Sequence, residues 1–364
     1  MTPAKATVKM VEGRRIINGP FYDTQFSAIL AGQRGVFDSR FPVLCCMAFS
    51  WATAGRPILA LAPMAGVTDA SYRQLIKRVA PETVVYTEFL STDALAFKGK
   101  KTMQMMEFDP EVERPFIVQI FGHDPDHFLE AAKIIEQFGA DGIDINMGCP
   151  AAKVVSSCHG AALIRKPELA AELVHATVKA IKIPVSVKTR LGWDTEETLI
   201  PFCKALEAAG AQAFAIHGRT FQDKFTGKAR WAKIYELKEA LSVPVMGNGD
   251  IASAADALAK IGNLDGVMVG RGTFGNPWLM RDIMDALLAK STGTTSAPRT
   301  FEQKIPMILE HCELAVRIKG EHKGMLEMRR HLSSYVKGFD GASEMRQKLV
   351  RVETFKEAKA ILCA

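Results

Sequence analysis

Eight short apolar runs, each followed by a longer segment of helical period, constrain this chain more than any other feature. The runs are "ILALAP" (58–63), "VVYTEF" (84–89), "FIVQIFG" (116–122), "GIDINMG" (142–148), "PVSVKTR" (184–190), "AFAIHGR" (213–219), "PVMGNGD" (244–250) and "GVMVGRG" (266–272). Between them lie segments such as "DHFLEAAKIIEQFGA" and "PELAAELVHATVKAI", with the i, i+3, i+4 apolar stripe of a helix that covers a sheet. Strands that are apolar nearly throughout belong to parallel sheets buried on both faces. Eight of them in strand–helix alternation predict a (β/α)8 barrel over residues 57–290, with a doubly wound open sheet as the competing fold.

The polar residues favour the barrel. Nearly every run ends in a chemically loaded residue: Met64, Glu88, Gln119, Asn146 with Cys149, Lys188 with Arg190, His217 with Arg219, Asn248 with Asp250, and Gly270 with Arg271. Barrel active sites lie at the C-terminal rim of the strands, which is where these residues fall.

Outside the barrel the pattern changes. Residues 1–56 carry no motif and no sustained periodicity and are read as an N-terminal extension. Residues 291–300 include the Ser/Thr/Gly/Pro stretch "STGTTSAP" of a linker. Residues 301–364 show helical period only, and they are read as a separate, small helical domain. They hold twelve Lys/Arg against nine Asp/Glu, half of the chain's net charge of +6. A basic excess of this kind suits a polyanionic partner. No run of 18 or more apolar residues exists, so no membrane span is expected. The seven cysteines include no C-x-x-C pair, so no metal site is expected. Their odd number fits reduced thiols and a cytoplasmic setting.

Within the rim, glycines at "GNGD" and "GVMVGRG" let backbone N–H groups approach an anion, and Arg271 adds charge. Many barrels bind phosphate after strands seven and eight. A lysine such as Lys188 in a barrel mouth is costly to bury unless it meets an anion. A flavin, whose ring becomes more negative on reduction, meets that need. Gln119 and Asn146 are neutral amides able to bond a flavin rim or a pyrimidine. The thiol of Cys149, in "INMGCP" (145–150), can serve as packing, ligand, nucleophile or acid.

The ordered motifs "LAPMAGVTDASYR" (61–73), "QIFGHDP" (119–125), "ADGIDINMGCP" (140–150), "VKTRLGWD" (187–194), "IHGRT" (216–220), "GNGDI" (247–251) and "GVMVGRGTFGNPWL" (266–279) resemble the tRNA-dihydrouridine synthases, as does "MRRHLSSYVKGFDGASEMRQKL" (328–349). The resemblance implies an FMN enzyme that reduces a tRNA uridine to 5,6-dihydrouridine, with NADPH or NADH as reductant. It implies that Pro63, Met64 and Ala65 line the flavin and that Gln119, Lys188 and His217 contact it. It places Asn248, Gly249, Asp250, Gly270 and Arg271 at the phosphate tail. Cys149 becomes the acid that protonates C5 while a hydride reaches C6, with Asn146 beside it. A free thiol, with an ordinary pKa of about 8.5, is protonated near neutral pH and suits that task. Cys158, in the loop after it, is the rival thiol. Arg190 and Arg219 at the mouth, with Arg329, Arg330 and Lys337 in the helical domain, are the expected contacts to the substrate. A flavin oxidoreductase of a free pyrimidine is the competing function, and it needs no basic helical domain. A flavin-free RNA-binding module would not need the set Gln119, Lys188, His217 and Arg271.

Overall fold

A computed structural model describes residues 7–11, 14–18, 49–291, 293 and 299–364. Much of the expected extension and most of the expected linker, with Cys45 and Cys46, lie outside these residues. The chain divides into residues 1–47 and 48–364. The first unit holds a hairpin that the sequence pattern did not indicate: β1 (Thr7–Val11) pairs antiparallel with β2 (Arg14–Asn18), Thr7 opposite Asn18.

The second unit begins with the barrel. Its strands are β3 (Ile58–Leu61), β4 (Val85–Tyr86), β5 (Leu90–Ser91), β6 (Phe116–Phe121), β7 (Gly142–Met147), β8 (Val185–Arg190), β9 (Ala213–His217), β10 (Val245–Asn248) and β11 (Gly266–Val269). All pairings among them are parallel, in the order β3, β11, β10, β9, β8, β7, β6, β4, and β5 also pairs with β6. The ring closes where Leu61 N donates to Val84 O and Val84 N donates to Leu59 O, each at 2.9 Å. This is the expected barrel, and its eighth stave is β4 and β5 together.

The split corrects the single run expected over 84–89. Thr87 Oγ1 accepts from Gln119 N at 3.0 Å, and Glu88 Oε2 accepts from Gly66 N at 2.5 Å. Thr87 N still donates to Ile117 O at 3.0 Å, so the interruption falls at residues 88–89. The core also begins earlier than residue 57. Trp51, 1 % exposed, packs with Ile58, Ala60, Tyr86, Ala215 and Met246, and Phe49 and Ala54 lie against the same cluster. The boundary expected at residue 57 therefore cuts through side chains of the barrel core.

The helices around the barrel follow their caps. α1 (Ala70–Val79) starts at Asp69, whose side chain accepts from Tyr72 N, and α2 (Pro125–Phe138) has Asp124 as cap and proline in its first turn. The C-terminal helices are α3 (Phe301–Lys319), α4 (Glu321–Tyr335), α5 (Ala342–Leu349) and α6 (Phe355–Leu362). Capping boxes at Thr300 and Thr354 begin α3 and α6. Gly324 lets α3 and α4 cross closely, because a Cβ there would lie 2.6 Å from Ala315 O.

These helices are not separate from the barrel. Their core of Ile308, Cys312, Met325, Leu332 and Tyr335 includes Trp278 of the barrel segment. Tyr72 of α1 packs on His331 and His311, with ring centroids 5.2 and 5.5 Å away. Lys319 bonds Asp69, and Arg78 pairs with Glu310. Burial opposes the charge on Asp69, but Lys319, His331 and Ser71 together hold its carboxyl well below the usual carboxylate range.

Candidate active site

The C-terminal ends of the strands surround a cleft of about 820 Å³. Pro63, Met64, Ala65, Gln119, Asn146, Cys149, Lys188, Arg190, His217, Asn248, Gly249, Asp250, Gly270, Arg271 and Arg330 all line it. The eleven residues expected at a flavin thus share one cavity with the expected acid. The strands supply them in register: Asn146 lies opposite Lys188 across β7 and β8, and Asn248 opposite His217 across β10 and β9.

One wall is cationic. Lys188 Nζ donates to Asn248 Oδ1 at 3.3 Å, and Asn248 Nδ2 donates to Met268 O at 2.8 Å. Burial, with Arg190 nearby, pulls the Lys188 ammonium down to about 8, against the attraction of Asp144 and Cys149. Burial also holds His217 neutral, and Lys188, Arg190, Arg219 and Arg271 add to the effect. A neutral imidazole beside several cations is a hydrogen-bonding group rather than a charge.

The turn after β10 is shaped for close approach. Gly249 has φ +124°, and a Cβ there would lie 2.9 Å from Ala229 Cβ and 3.1 Å from His217 Cδ2. Asp250 follows at φ +50°. Its carboxylate accepts from Arg219 Nη2 at 2.8 Å and from Ala229 N at 2.7 Å, so it organises the turn. Arg271, 65 % exposed at its side chain, reaches only 4.0 Å from that carboxylate. Its charge is available to an anion. Apolar groups and a cationic, glycine-rich end suit a planar ring with a phosphate tail.

Cys149 follows β7, the strand beside that of Lys188, and is half-buried. Gly148 N and Cys149 N donate to Asn146 Oδ1 at 3.1 and 2.9 Å. Arg190 Nε donates to Gly148 O at 2.7 Å, and Ala161 N donates to Cys149 O at 3.1 Å. The thiol is carried on a turn fixed from three sides. Cys158, at φ +60°, is not among the lining residues, and its Sγ accepts from Lys166 Nζ at 3.4 Å.

The expected substrate contacts divide. Arg330 reaches the cavity from α4, donating to Ala65 O and Gly66 O, each at 3.3 Å. Arg190 lines the cavity, but it also donates to Thr220 O and Lys224 O at 3.0 and 2.8 Å. Arg219 is buried, bonded to Asp250, Thr226 O and Gly227 O, and does not line the cavity. Arg329 clamps α4 to the chain beyond α5 through Val352 O and Arg351 O, at 2.9 and 3.1 Å. Lys337 is exposed and is not among the lining residues. Of these basic residues, Arg190, Arg219 and Arg329 hold backbone in place.

Sequence reasoning missed three aromatic residues of the lining, Phe89, Phe225 and Phe274. Phe225 has the guanidinium carbons of Arg190 and Arg271 each 5.3 Å from its ring centre. It lies in the irregular segment between β9 and the next helix, where no periodicity marks it.

The family model for dihydrouridine synthase matches residues 60–364. The chain is 39% identical over 304 residues to a probable tRNA-dihydrouridine synthase 1 of Synechocystis sp., covering 82% of this chain and 84% of that one. It is 40% identical over 298 residues to tRNA-dihydrouridine synthase B of Pseudomonas aeruginosa, covering 81% and 88%. Among solved structures, a 2-naphthoyl-CoA reductase superposes with a TM-score of 0.50 at 13% identity, covering 63% of this chain and 50% of that one, a likeness of fold.

Proposed function

The chain belongs to the dihydrouridine synthase family, and on that premise we propose that it reduces uridines in tRNA to 5,6-dihydrouridine, with FMN as bound cofactor and NADPH or NADH as reductant. The observation that carries the reading is a single cavity lined by a half-buried lysine and a half-buried thiol at the ends of neighbouring strands, with the glycine-rich turns after β10 and β11.

A bound FMN supplies the hydride that reaches C6 of the uracil ring. Lys188, half-buried and held by Asn248, would favour negative charge on a bound flavin ring. Pro63, Met64 and Ala65 give an apolar wall to the ring, while Gln119 and His217 offer neutral hydrogen bonds. Gly249, Asp250, Gly270 and Arg271 form the end that takes the phosphate. Cys149 holds a proton on Sγ; its S–H bond breaks as the C5–H bond forms, and water later restores the thiol. Asn146 and Arg190 keep that thiol at the cavity wall through the Gly148–Cys149 backbone. Arg330, which lines the cavity, is the proposed contact to the extracted base, and Lys337, exposed to solvent, a proposed contact to the tRNA backbone. In this reading residues 49–290 are the catalytic barrel and residues 301–364 the RNA-docking helices.

The test uses purified, flavin-loaded protein with NADPH and a tRNA transcript that lacks modifications. The reading expects loss of NADPH and a two-hydrogen mass gain on one or more uridines, with free uridine inert. Reduction of free uridine at the rate of tRNA, or no mass gain on tRNA, would contradict it.

A further inference from the structure

Behind the Cys149 turn lies a buried carboxylate that none of these roles uses. Asp144 is in the middle of β7, 0 % exposed. Its ladder partners are Gln119 on β6 and Ser186 on β8, so the three occupy one level of the barrel interior. Side chains two apart on a strand share a face, which places Asn146 above it, toward the rim.

The four residues form one continuous network. Ser186 Oγ donates to Asp144 Oδ1 at 2.6 Å, and Gln119 Nε2 donates to Asp144 Oδ2 at 2.7 Å. Asn146 Nδ2 donates to Gln119 Oε1 at 3.0 Å. Asn146 Oδ1 then accepts from Gly148 N and Cys149 N. Both amides could in principle face either way, because their oxygen and nitrogen ends are alike in shape. The two ends of the network remove that freedom. An ionised carboxylate only accepts, and backbone N–H groups only donate. If Gln119 turned over, its oxygen would face a carboxylate and its NH2 would face the Asn146 NH2. If Asn146 followed, its NH2 would meet the two N–H groups that carry Cys149.

We propose that Asp144 is a positioning residue for the reaction: as an obligate acceptor it fixes the orientation of Gln119 and, through it, of Asn146, which holds the Cys149 turn at the cavity wall. The proposal rests on the reading of Cys149 as the acid. No proton moves along the network; its work is geometric. A displaced reacting group of about 1 Å typically costs on the order of 10²-fold in rate.

The test compares Asp144→Leu and Asp144→Asn in the full, flavin-loaded chain. Leucine removes the acceptor. Asparagine keeps one for Gln119 and turns its NH2 toward Ser186 Oγ, whose O–H can rotate to Tyr86 Oη, the buried hydroxyl within hydrogen-bond reach of it. Three rates are read: flavin reduction by NADPH, flavin oxidation by tRNA, and alkylation of Cys149 by iodoacetamide, followed on its own peptide by mass. Asp144→Leu should alter Cys149 alkylation several-fold and slow oxidation by tRNA roughly 10- to 100-fold, a greater loss than in reduction by NADPH of the flavin, which Gln119 touches directly. Asp144→Asn should restore all three rates to near wild type. Wild-type alkylation and oxidation in Asp144→Leu would overturn the proposal. So would an Asp144→Asn protein with full flavin content whose oxidation by tRNA is as slow as expected for leucine, since charge rather than acceptance would then matter. That second outcome decides the matter even if Asp144→Leu does not fold. Cys149→Ala separates the two readings: wild-type oxidation in that variant removes the acid role, while alkylation in Asp144→Leu still judges the network.

Discussion

At the residue scale, the site depends on groups whose burial sets their charge. Burial pushes the Asp144 carboxyl up to about 6, against hydrogen bonds from Gln119 and Ser186 and the charge of Lys188. An unfolded aspartate titrates near 3.9. Between about pH 4 and 6 the folded chain therefore binds more protons here than the unfolded one, and stability falls as pH rises through that window. Asp144→Asn removes that slope. Urea unfolding of the variant and the wild type should show the variant gaining relative stability from pH 4 to 6, then a constant difference. A difference that is flat across the window would contradict the buried, ionising carboxylate. Lys188→Ala should lower the reduction potential of the bound flavin or weaken binding of its reduced form by about ten- to a hundredfold, the range for a charge-assisted hydrogen bond. Unchanged potential and flavin content would remove the electrostatic role. The place of Lys188 in the cavity was legible because a lysine near the end of an apolar strand is costly to bury without an anion, the bland alternative being a snorkelling surface lysine. Asp144 stood in the same motif as Cys149, one polar residue between Ile143 and Ile145, but its partners lie on two other strands. The bonds of Arg190, Arg219 and Arg329 were hidden for the same reason: sequence shows a charge, and only the fold shows the carbonyls beside it.

At the element scale, the strands were readable and their ends were not. A parallel strand buried on both faces must be apolar throughout, so Val, Ile and Ala runs mark all eight staves. The break between β4 and β5 has no local signature, since the side chains of Thr87 and Glu88 there bond Gln119 N and Gly66 N of other elements. The contact between α1 and the C-terminal helices was equally hidden. Lys319 bonds both Asp69 and Glu327, and its side chain is 13% exposed against 15% for Asp69. Lys319→Met should leave the Asp69 carboxylate buried without its main counter-charge and cost about 3 kcal/mol. Thermal unfolding checks this; a Tm equal to wild type would show that the pair adds nothing. Gly249→Ala belongs to this scale too. A Cβ at φ +124° and 2.9 Å from Ala229 should distort the turn after β10 and cost about 1–3 kcal/mol, with weaker flavin binding.

At the scale of the whole molecule, the C-terminal helices and the barrel form one body, with Trp278, Tyr72 and Arg330 shared between them. A chain cut at residue 300 would expose Trp278 and strip the partners of Tyr72, so truncation tests folding before it tests RNA binding. Point changes are cleaner. Lys337→Glu, on an exposed lysine that supports no packing, should weaken tRNA binding and reduce the salt slope by about 1, with flavin content unchanged. An unchanged slope would move the RNA surface elsewhere. The basic excess of residues 301–364 was legible as composition; which of its cations face solvent was not, since Lys319, Arg329 and Arg346 bond the protein itself. The central claim joins all three scales: the thiol on the β7 turn delivers the proton to a uridine of a docked tRNA. Its most direct test is single-turnover oxidation of the NADPH-reduced protein by tRNA, in Cys149→Ala and Cys158→Ala. The account predicts that Cys149→Ala keeps its flavin and its reduction by NADPH but oxidises about 10² to 10⁴ times more slowly with tRNA, while Cys158→Ala stays close to wild type. A crippled Cys158→Ala beside an active Cys149→Ala, or two variants at the wild-type rate, would contradict it.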